Sequence, residues 1–218
     1  MSDKEFTPAL GFQAITPLYD LAVGLLTRED AWRAELVRLV APQPNQSILD
    51  VGCGTGSLMA RIGLHEPRAR LIGLDPDPNV LAIARRKLDK LGLTASWRQG
   101  FLDDQAVAAI GRVTKVVSSL VFHQTSVDEK RRILTNMRRI LGDGGALYIA
   151  DYGEQRTNSM RVLFRLTVQM LDGVSDTQPN ADGCLPKLIR AAGFGDVKEH
   201  RVILTATGSI SLYEAISG

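Results

Sequence analysis

The stretch Ile48-Leu49-Asp50-Val51-Gly52-Cys53-Gly54-Thr55-Gly56 decides how this chain folds. Its first half is a short apolar run, the kind of segment that forms a strand buried on both faces of a parallel sheet. Its second half puts glycine at three alternate positions, directly before helical spacing begins at Ser57. Glycine lacks a Cβ, so it accepts positive φ and lets another molecule approach the main chain, while a helix start contributes unpaired N–H groups. An adenosine-bearing ligand fits that geometry.

Working outward, Leu58, Met59 and Ile62 cover one face of a helix over 57–65, and Arg70 to Leu74 reads as a second buried strand. Strand, helix and strand make a βαβ unit. From Pro78 to Leu91 the residues Val80, Leu81, Ala84, Leu88 and Leu91 recur at helical spacing, with Arg85, Arg86, Asp89 and Lys90 on the outer face. A strand at 95–99, a helix near 103–110 and a strand at 115–120 continue the alternation. Ser126 and Glu129 then form a capping box for a helix whose buried stripe is Ile133, Leu134, Met137, Ile140 and Leu141. The turn Gly142-Asp143-Gly144-Gly145 feeds a strand at 146–150. Five such repeats with right-handed crossovers predict a doubly wound α/β sheet. Beyond it we expect a helix over 160–171, a polar loop over 172–182 and a helix over 183–192. Two strands, 197–205 and 208–215, are joined too briefly for anything but antiparallel pairing.

Composition bounds the function. With 218 residues, 44% apolar and 23% charged, the chain has enough apolar material for the core of one domain. Charged residues break every apolar run well short of the roughly 20 residues that a membrane span needs. The amino-terminal MSDKEFTPALGF does not read as a signal peptide, so a cytoplasmic location is expected. Cys53 and Cys184 belong to no CxxC pair, which argues against a disulfide framework and a zinc site. The net charge is +2, and the basic runs Arg85-Arg86-Lys87 and Lys130-Arg131-Arg132 read as solvated helix faces rather than a nucleic-acid footprint. No Asp, Glu or His cluster has metal-ligand spacing, so no metal is expected. Oligomeric state is not legible.

Asp75 closes the second strand, nineteen residues after Gly56, where a carboxylate in a doubly wound sheet accepts hydrogen bonds from ribose hydroxyls. The glycines run G-x-G-x-G rather than the pyrophosphate-binding G-x-G-x-x-G, which disfavours a dinucleotide and with it a nicotinamide oxidoreductase.

At these residues the chain resembles the class I S-adenosylmethionine-dependent methyltransferases, within them the type 11 group similar to ubiquinone and menaquinone C-methyltransferases. The likeness runs from about Tyr19 to the C-terminus. It rests on D-V-G-C-G-T-G at 50–56, L-I-G-L-D at 71–75, V-V-S-S-L-V-F-H at 116–123 and G-D-G-G-A-L-Y-I-A-D at 142–151. The resemblance implies a seven-stranded, mostly parallel Rossmann-like sheet with an antiparallel last strand. It implies a single domain over 1–218, with cap helices in 1–45, a cofactor core in 46–151, a lid-like insertion in 152–182 and a final helix and hairpin in 183–218. The cofactor implied is S-adenosylmethionine. Gly52, Cys53, Gly54 and Gly56 would line it, Asp50 would support their loop, Asp75 would hold the ribose and Pro76 would border the adenine. Where the family often has Gly-Asp-Ala, this chain has Gly100, Phe101 and Leu102, so apolar contact from Phe101 and Leu102 would replace a polar adenine contact, or Asp103 would supply it. Ser118, Ser119 and Leu120 would pass beside the methionine end.

His123 would project near the transferable methyl, either as a base or as a packing or capping residue. Tyr19, followed by Asp20, would close over the cofactor or be a core tyrosine. Asp151 and Tyr152 end a strand at the ligand-binding edge and face the acceptor or make a turn. Val162, Leu163, Leu166 and Met170, with Arg161 and Arg165 nearby, form either an apolar wall for the acceptor or ordinary core. The expected activity is methyl transfer to a small apolar or aromatic molecule, without nucleic acid or stable membrane insertion. A cofactor-binding protein without catalysis is the alternative.

Overall fold

A computed structural model describes residues 27–218, so Tyr19, Asp20 and most of the expected cap segment lie outside the described residues. The described chain opens with α1 (Glu29–Val40) and then alternates β1 (Ser47–Val51), α2 (Ser57–His65), β2 (Arg70–Asp75), α3 (Pro78–Lys90), β3 (Ala95–Gln99), α4 (Asp104–Ile110) and β4 (Val113–Ser119). A 3₁₀ turn at Phe122–Gln124 leads into α5 (Val127–Ile140) and β5 (Leu141–Tyr152). Four short helices follow, α6 (Asn158–Leu166), α7 (Val168–Asp172), α8 (Val174–Ala181) and α9 (Leu185–Ala191), before the hairpin β6 (Phe194–Thr205) and β7 (Gly208–Ser217).

One seven-stranded sheet carries the order β3-β2-β1-β4-β5-β7-β6. β1 to β5 are parallel, and β7 enters antiparallel between β5 and β6. Because successive strand side chains point to opposite faces, the central strands feed two cores. Ile48, Leu71, Val117, Tyr148 and Ala150 pack with Trp32 and Leu36 of α1 and Leu58, Met59 and Ile62 of α2. Their chain neighbours Leu49, Ile72, Val116, Leu147 and Ile149 pack with Leu134 and Met137 of α5 and Leu188 and Ile189 of α9. The doubly wound α/β class follows from this alternation.

The structure corrects three local expectations. The segment 172–182 is largely helical: α8 forms because Thr177, Asn180 and Ala181 turn inward, and Asn180 Nδ2 donates to the Tyr152 carbonyl at 2.9 Å. The glycine turn 142–145 lies within β5, as an irregularity where the register jumps from Val113↔Leu141 to Lys115↔Ala146. Lys130, read as part of a solvated basic face, is fully buried; its ammonium donates to the Asp176 carbonyl at 2.9 Å and to the Thr125 carbonyl, joining α8 to the turn after β4.

The two-core arrangement predicts that Leu49→Ala, at a fully buried position in the central strand, lowers urea-derived stability by about 2–5 kcal/mol. Leu91→Ala, at a residue 44% exposed, should stay within about 0.5 kcal/mol of wild type.

Candidate active site

The sheet order reverses between β1 and β4, so the loops that leave these neighbouring strands diverge and open a crevice at their carboxyl ends. The loop after β1 is tied to β2, since the Gly52 and Cys53 N–H groups both donate to the Leu74 carbonyl, at 2.8 and 3.1 Å. Two of its glycines have separate reasons. Gly52 has φ +72°, and a Cβ there would meet Val121 Cγ2 at 2.3 Å, so the loops after β1 and β4 touch only because no side chain intervenes. Gly54 has φ +51° and nothing within 4 Å of an added Cβ, which leaves its backbone open to a ligand. Gly56 starts α2 in a left-handed conformation, and Lys87 Nζ braces that start by donating to Ser57 Oγ at 2.7 Å.

Two carboxylates flank this loop. Asp75 accepts from the Gly54 N–H at 2.9 Å through Oδ2 and from the Asp77 N–H at 3.0 Å through Oδ1, placing the β2 acid directly against the glycine backbone. Burial pushes its carboxyl up despite those two bonds. Asp50 is fully buried, and neither of its carboxylate oxygens has a hydrogen-bond partner among the described residues. Burial drives its carboxyl up to about 7, against the opposing charge of Arg33 and with a further push from Asp75. A buried acid with no donor costs free energy unless something supplies one. Arg33 is a residue that sequence reasoning missed: it sits on α1 over the Trp32 ring, 4.4 Å from its centroid, bonds Glu29 at 2.7 Å and reaches Ser119 Oγ at 3.5 Å. Its signal in the sequence is no more than the i,i+4 relation to Glu29.

The other expected residues divide. Cys53 is buried, and burial together with Asp50 and Asp75 pushes its thiol up, away from any thiolate role. Pro76 is half-buried at the end of β2. Gly100, at φ +134°, donates its N–H to the Asp75 carbonyl at 3.0 Å. Phe101 is 54% exposed, whereas Leu102 is buried in the core of α4 and α5; these different surroundings do not make a two-sided clamp. Asp103 accepts the Ala106 N–H at 2.8 Å and caps α4. Ser118 is buried with its hydroxyl donating to the Val51 carbonyl at 2.8 Å, so it fastens β4 to β1. Ser119 is half-buried at the edge, and Leu120 turns the chain with φ +56°.

His123 and Asp151 come together. Asp151, at the end of β5, accepts four main-chain N–H groups: Val121 and Phe122 at 2.8 and 2.7 Å on Oδ2, His123 and Tyr152 at 3.3 and 2.8 Å on Oδ1. It also takes His123 Nδ1 at 2.8 Å. The imidazole is buried, edge-on to Tyr152 with ring centroids 5.0 Å apart, and its Nε2 lies 3.5 Å from Asp172 Oδ2 at the end of α7. Burial alone pushes the ring down, but the charge and hydrogen bond of Asp151, reinforced by Asp172, lift it to about 9.

A free imidazole gives up its proton near pH ~6.5, whereas this folded one keeps it to about 9. The pair's stabilisation is therefore complete below ~6.5 and disappears as pH rises through the folded value. Thermal unfolding should show wild type losing up to about 3 kcal/mol more than His123→Gln between about pH 6 and about pH 10. Parallel curves for the two proteins would show that the ring is neutral.

Comparison with known proteins agrees with this geometry. A methyltransferase-domain family model matches residues 48–145. The demethylmenaquinone methyltransferase of Thermus thermophilus is 29% identical over 215 residues, covering 94% of each chain. The ribosomal RNA small subunit methyltransferase C of Salmonella choleraesuis is 30% identical over 131 residues, and the match spans 58% of this chain but only 37% of that relative. Among solved structures, magnesium protoporphyrin IX methyltransferase from Synechocystis PCC 6803 with bound SAH superposes with a TM-score of 0.69 at 18% identity, over 96% of this chain and 91% of that one, a likeness of fold. The glycine loop, the β2 acid, the strand order and these relatives coincide: the chain carries a methyltransferase-domain match over 48–145 and is similar to the class I S-adenosylmethionine-dependent methyltransferases.

Proposed function

We propose that this protein binds S-adenosylmethionine across the carboxyl ends of β1, β2 and β4 and methylates a small apolar or aromatic molecule: quinone-like, phenolic, amine or lipid head group. The observation that carries the cofactor half is Asp50, a buried carboxylate without a partner among the described residues, beside glycine backbone that has open space around it. An amino acid ammonium is the donor that such an acid lacks, and Arg33, close enough to act on Asp50 electrostatically, is the matching cation for an amino acid carboxylate. Asp75, already against Gly54, is placed to accept ribose hydroxyls. Gly52, Gly56, Pro76, Gly100 and Phe101 would border the cofactor bound there.

Held by Asp50, Arg33 and Asp75, S-adenosylmethionine would supply a methyl carbon on a sulfonium, an electrophile for the acceptor's electron pair with the thioether as leaving group. The protein's contribution is alignment, potentially worth several kcal/mol. For the acceptor half, Val162, Leu166, Met170 and Leu171 are exposed on α6 and α7, and we assign these helices the role of an apolar lid. Its polar complement is His123, below α7. The Thermus thermophilus relative, which by its name acts on a quinone, supports this choice of acceptor. Among the described residues no helix is long and apolar enough to cross a membrane, and the two unpaired cysteines accord with a cytoplasmic enzyme.

Calorimetric titration with S-adenosylmethionine, and with NADH in a parallel cell, tests the reading. We expect saturable binding of S-adenosylmethionine alone, weakened at least ~10-fold by Asp75→Ala, the loss of a charged hydrogen-bond acceptor. The proton on Asp50 must leave before the acid can pair with an ammonium, so affinity should rise with pH through about 7 and lose that slope in Asp50→Asn. Binding of NADH instead, or a pH-independent affinity, would defeat the assignment.

A further inference from the structure

We propose, building on the methyltransferase reading, that the acceptor binds as an oxyanion in the position that Asp172 occupies beside His123, so that the protein selects acidic hydroxyl compounds, phenols and enols, over neutral isosteres and amines. Both ring nitrogens of His123 face carboxylates. Nδ1 is 2.8 Å from Asp151 Oδ1, and Nε2 is 3.5 Å from Asp172 Oδ2. A neutral imidazole has one N–H and one lone pair, so it would turn a lone pair toward one of these carboxylates. Only the imidazolium offers a donor to both. The charge balance raises the ring to about 9, in the same direction.

The two carboxylates are not equivalent. Asp151 is fully buried and engaged by four main-chain N–H groups besides the ring, so it cannot leave. Asp172 is about one-third exposed, at a distance longer than a good hydrogen bond, and is the last residue of a five-residue helix. Gly173 follows it at φ +83° with open space where a Cβ would stand, its N–H donating to the Gln169 carbonyl at 3.1 Å and its carbonyl accepting from the Thr177 hydroxyl. Asp172 thus holds a place that another anionic oxygen can take.

The surroundings sharpen the preference. Tyr152 packs edge-on to the ring with its own hydroxyl engaged by Thr207 at 2.7 Å. Lys130 on α5 is spent on the Asp176 and Thr125 carbonyls, and Cys184 is a thiol pushed up chiefly by burial. Among the described residues around the ring, the positive Nε2–H is the donor that faces Asp172, in a buried setting where a charge-assisted hydrogen bond to an oxyanion is favoured. A protonated amine would meet like charge. A ring already carrying both protons cannot serve as the base considered for His123; the acceptor's proton leaves to solvent before binding, and the imidazolium holds the resulting charge.

4-Nitrophenol and its methyl ether 4-nitroanisole test this, because the yellow phenolate band reports ionisation directly. With protein and S-adenosylhomocysteine, at a pH where free nitrophenol is mostly neutral, we expect the phenolate band to grow on titration. Asp172→Asn, which removes the competing carboxylate at the surface and leaves the buried pair intact, should strengthen phenolate binding about 10-fold, and nitroanisole should not compete. Long-range ¹H–¹⁵N spectra at neutral pH should show both His123 nitrogens protonated. No phenolate band in either protein, equal competition by nitroanisole, or a neutral ring would overturn the proposal. S-adenosylhomocysteine binding, measured separately by calorimetry, distinguishes the two failures: binding with no anion preference sinks only this inference, and no binding sinks the methyltransferase reading.

Discussion

β1 and β4 are neighbours in the sheet although β2 and β3 lie between them in the chain, and their crossovers run off in opposite directions. Right-handed crossovers force this divergence once the chain reverses its direction of winding. Every feature of the site depends on it. Gly52 and Val121 meet between the loops after β1 and β4, Asp75 at the end of β2 accepts the Gly54 N–H, and Asp151 at the end of β5 holds the turn that carries His123. A sheet wound in one direction throughout would carry the same glycine loop with no crevice beside it.

Two buried carboxylates, Asp50 on β1 and Asp151 on β5, differ in what surrounds them. Asp151 has five N–H donors, and its work is internal: it shapes the turn after β4 and fixes the orientation of His123. Asp50 is as deeply buried and has none among the described residues. Desolvation of an acid is tolerated when hydrogen bonds replace water. Hydrogen-bond satisfaction therefore separates Asp151 from Asp50, a distinction that burial alone does not make. Lys130 belongs with Asp151, a buried charge whose hydrogen bonds tie α8 to the turn.

Most of the architecture is legible in the periodicity of the chain because its signals are local. The serine half of the expected capping box forms, with the Ser126 hydroxyl accepting the Glu129 N–H at 3.3 Å, while the Glu129 carboxylate pairs with Arg132. Expectation and structure part where tertiary contacts override composition. The polar stretch 172–182 looks like a loop, yet Thr177 and Asn180 find buried partners and the segment coils into α8. Lys130 stands in a row with two exposed arginines, and its depth depends on carbonyls supplied from 125 and 176, one of them remote in sequence. Leu102 and Phe101 are adjacent, but one completes the core below α5 while the other stays outside.

By itself the sequence determined the α/β class, the glycine loop after β1 and the acid that closes β2, because a strand, a glycine turn and a helix start are decided by neighbouring residues and by backbone sterics. Only the tertiary structure decided that Asp50 would lack a partner among the described residues, that Arg33 would stand near it, and that His123 would be held between Asp151 and Asp172. Those relations join β1 to α1 and β4 to β5 and α7 across long stretches of chain. Charge and desolvation act through space, so the protonation of a side chain is settled by what folding brings beside it.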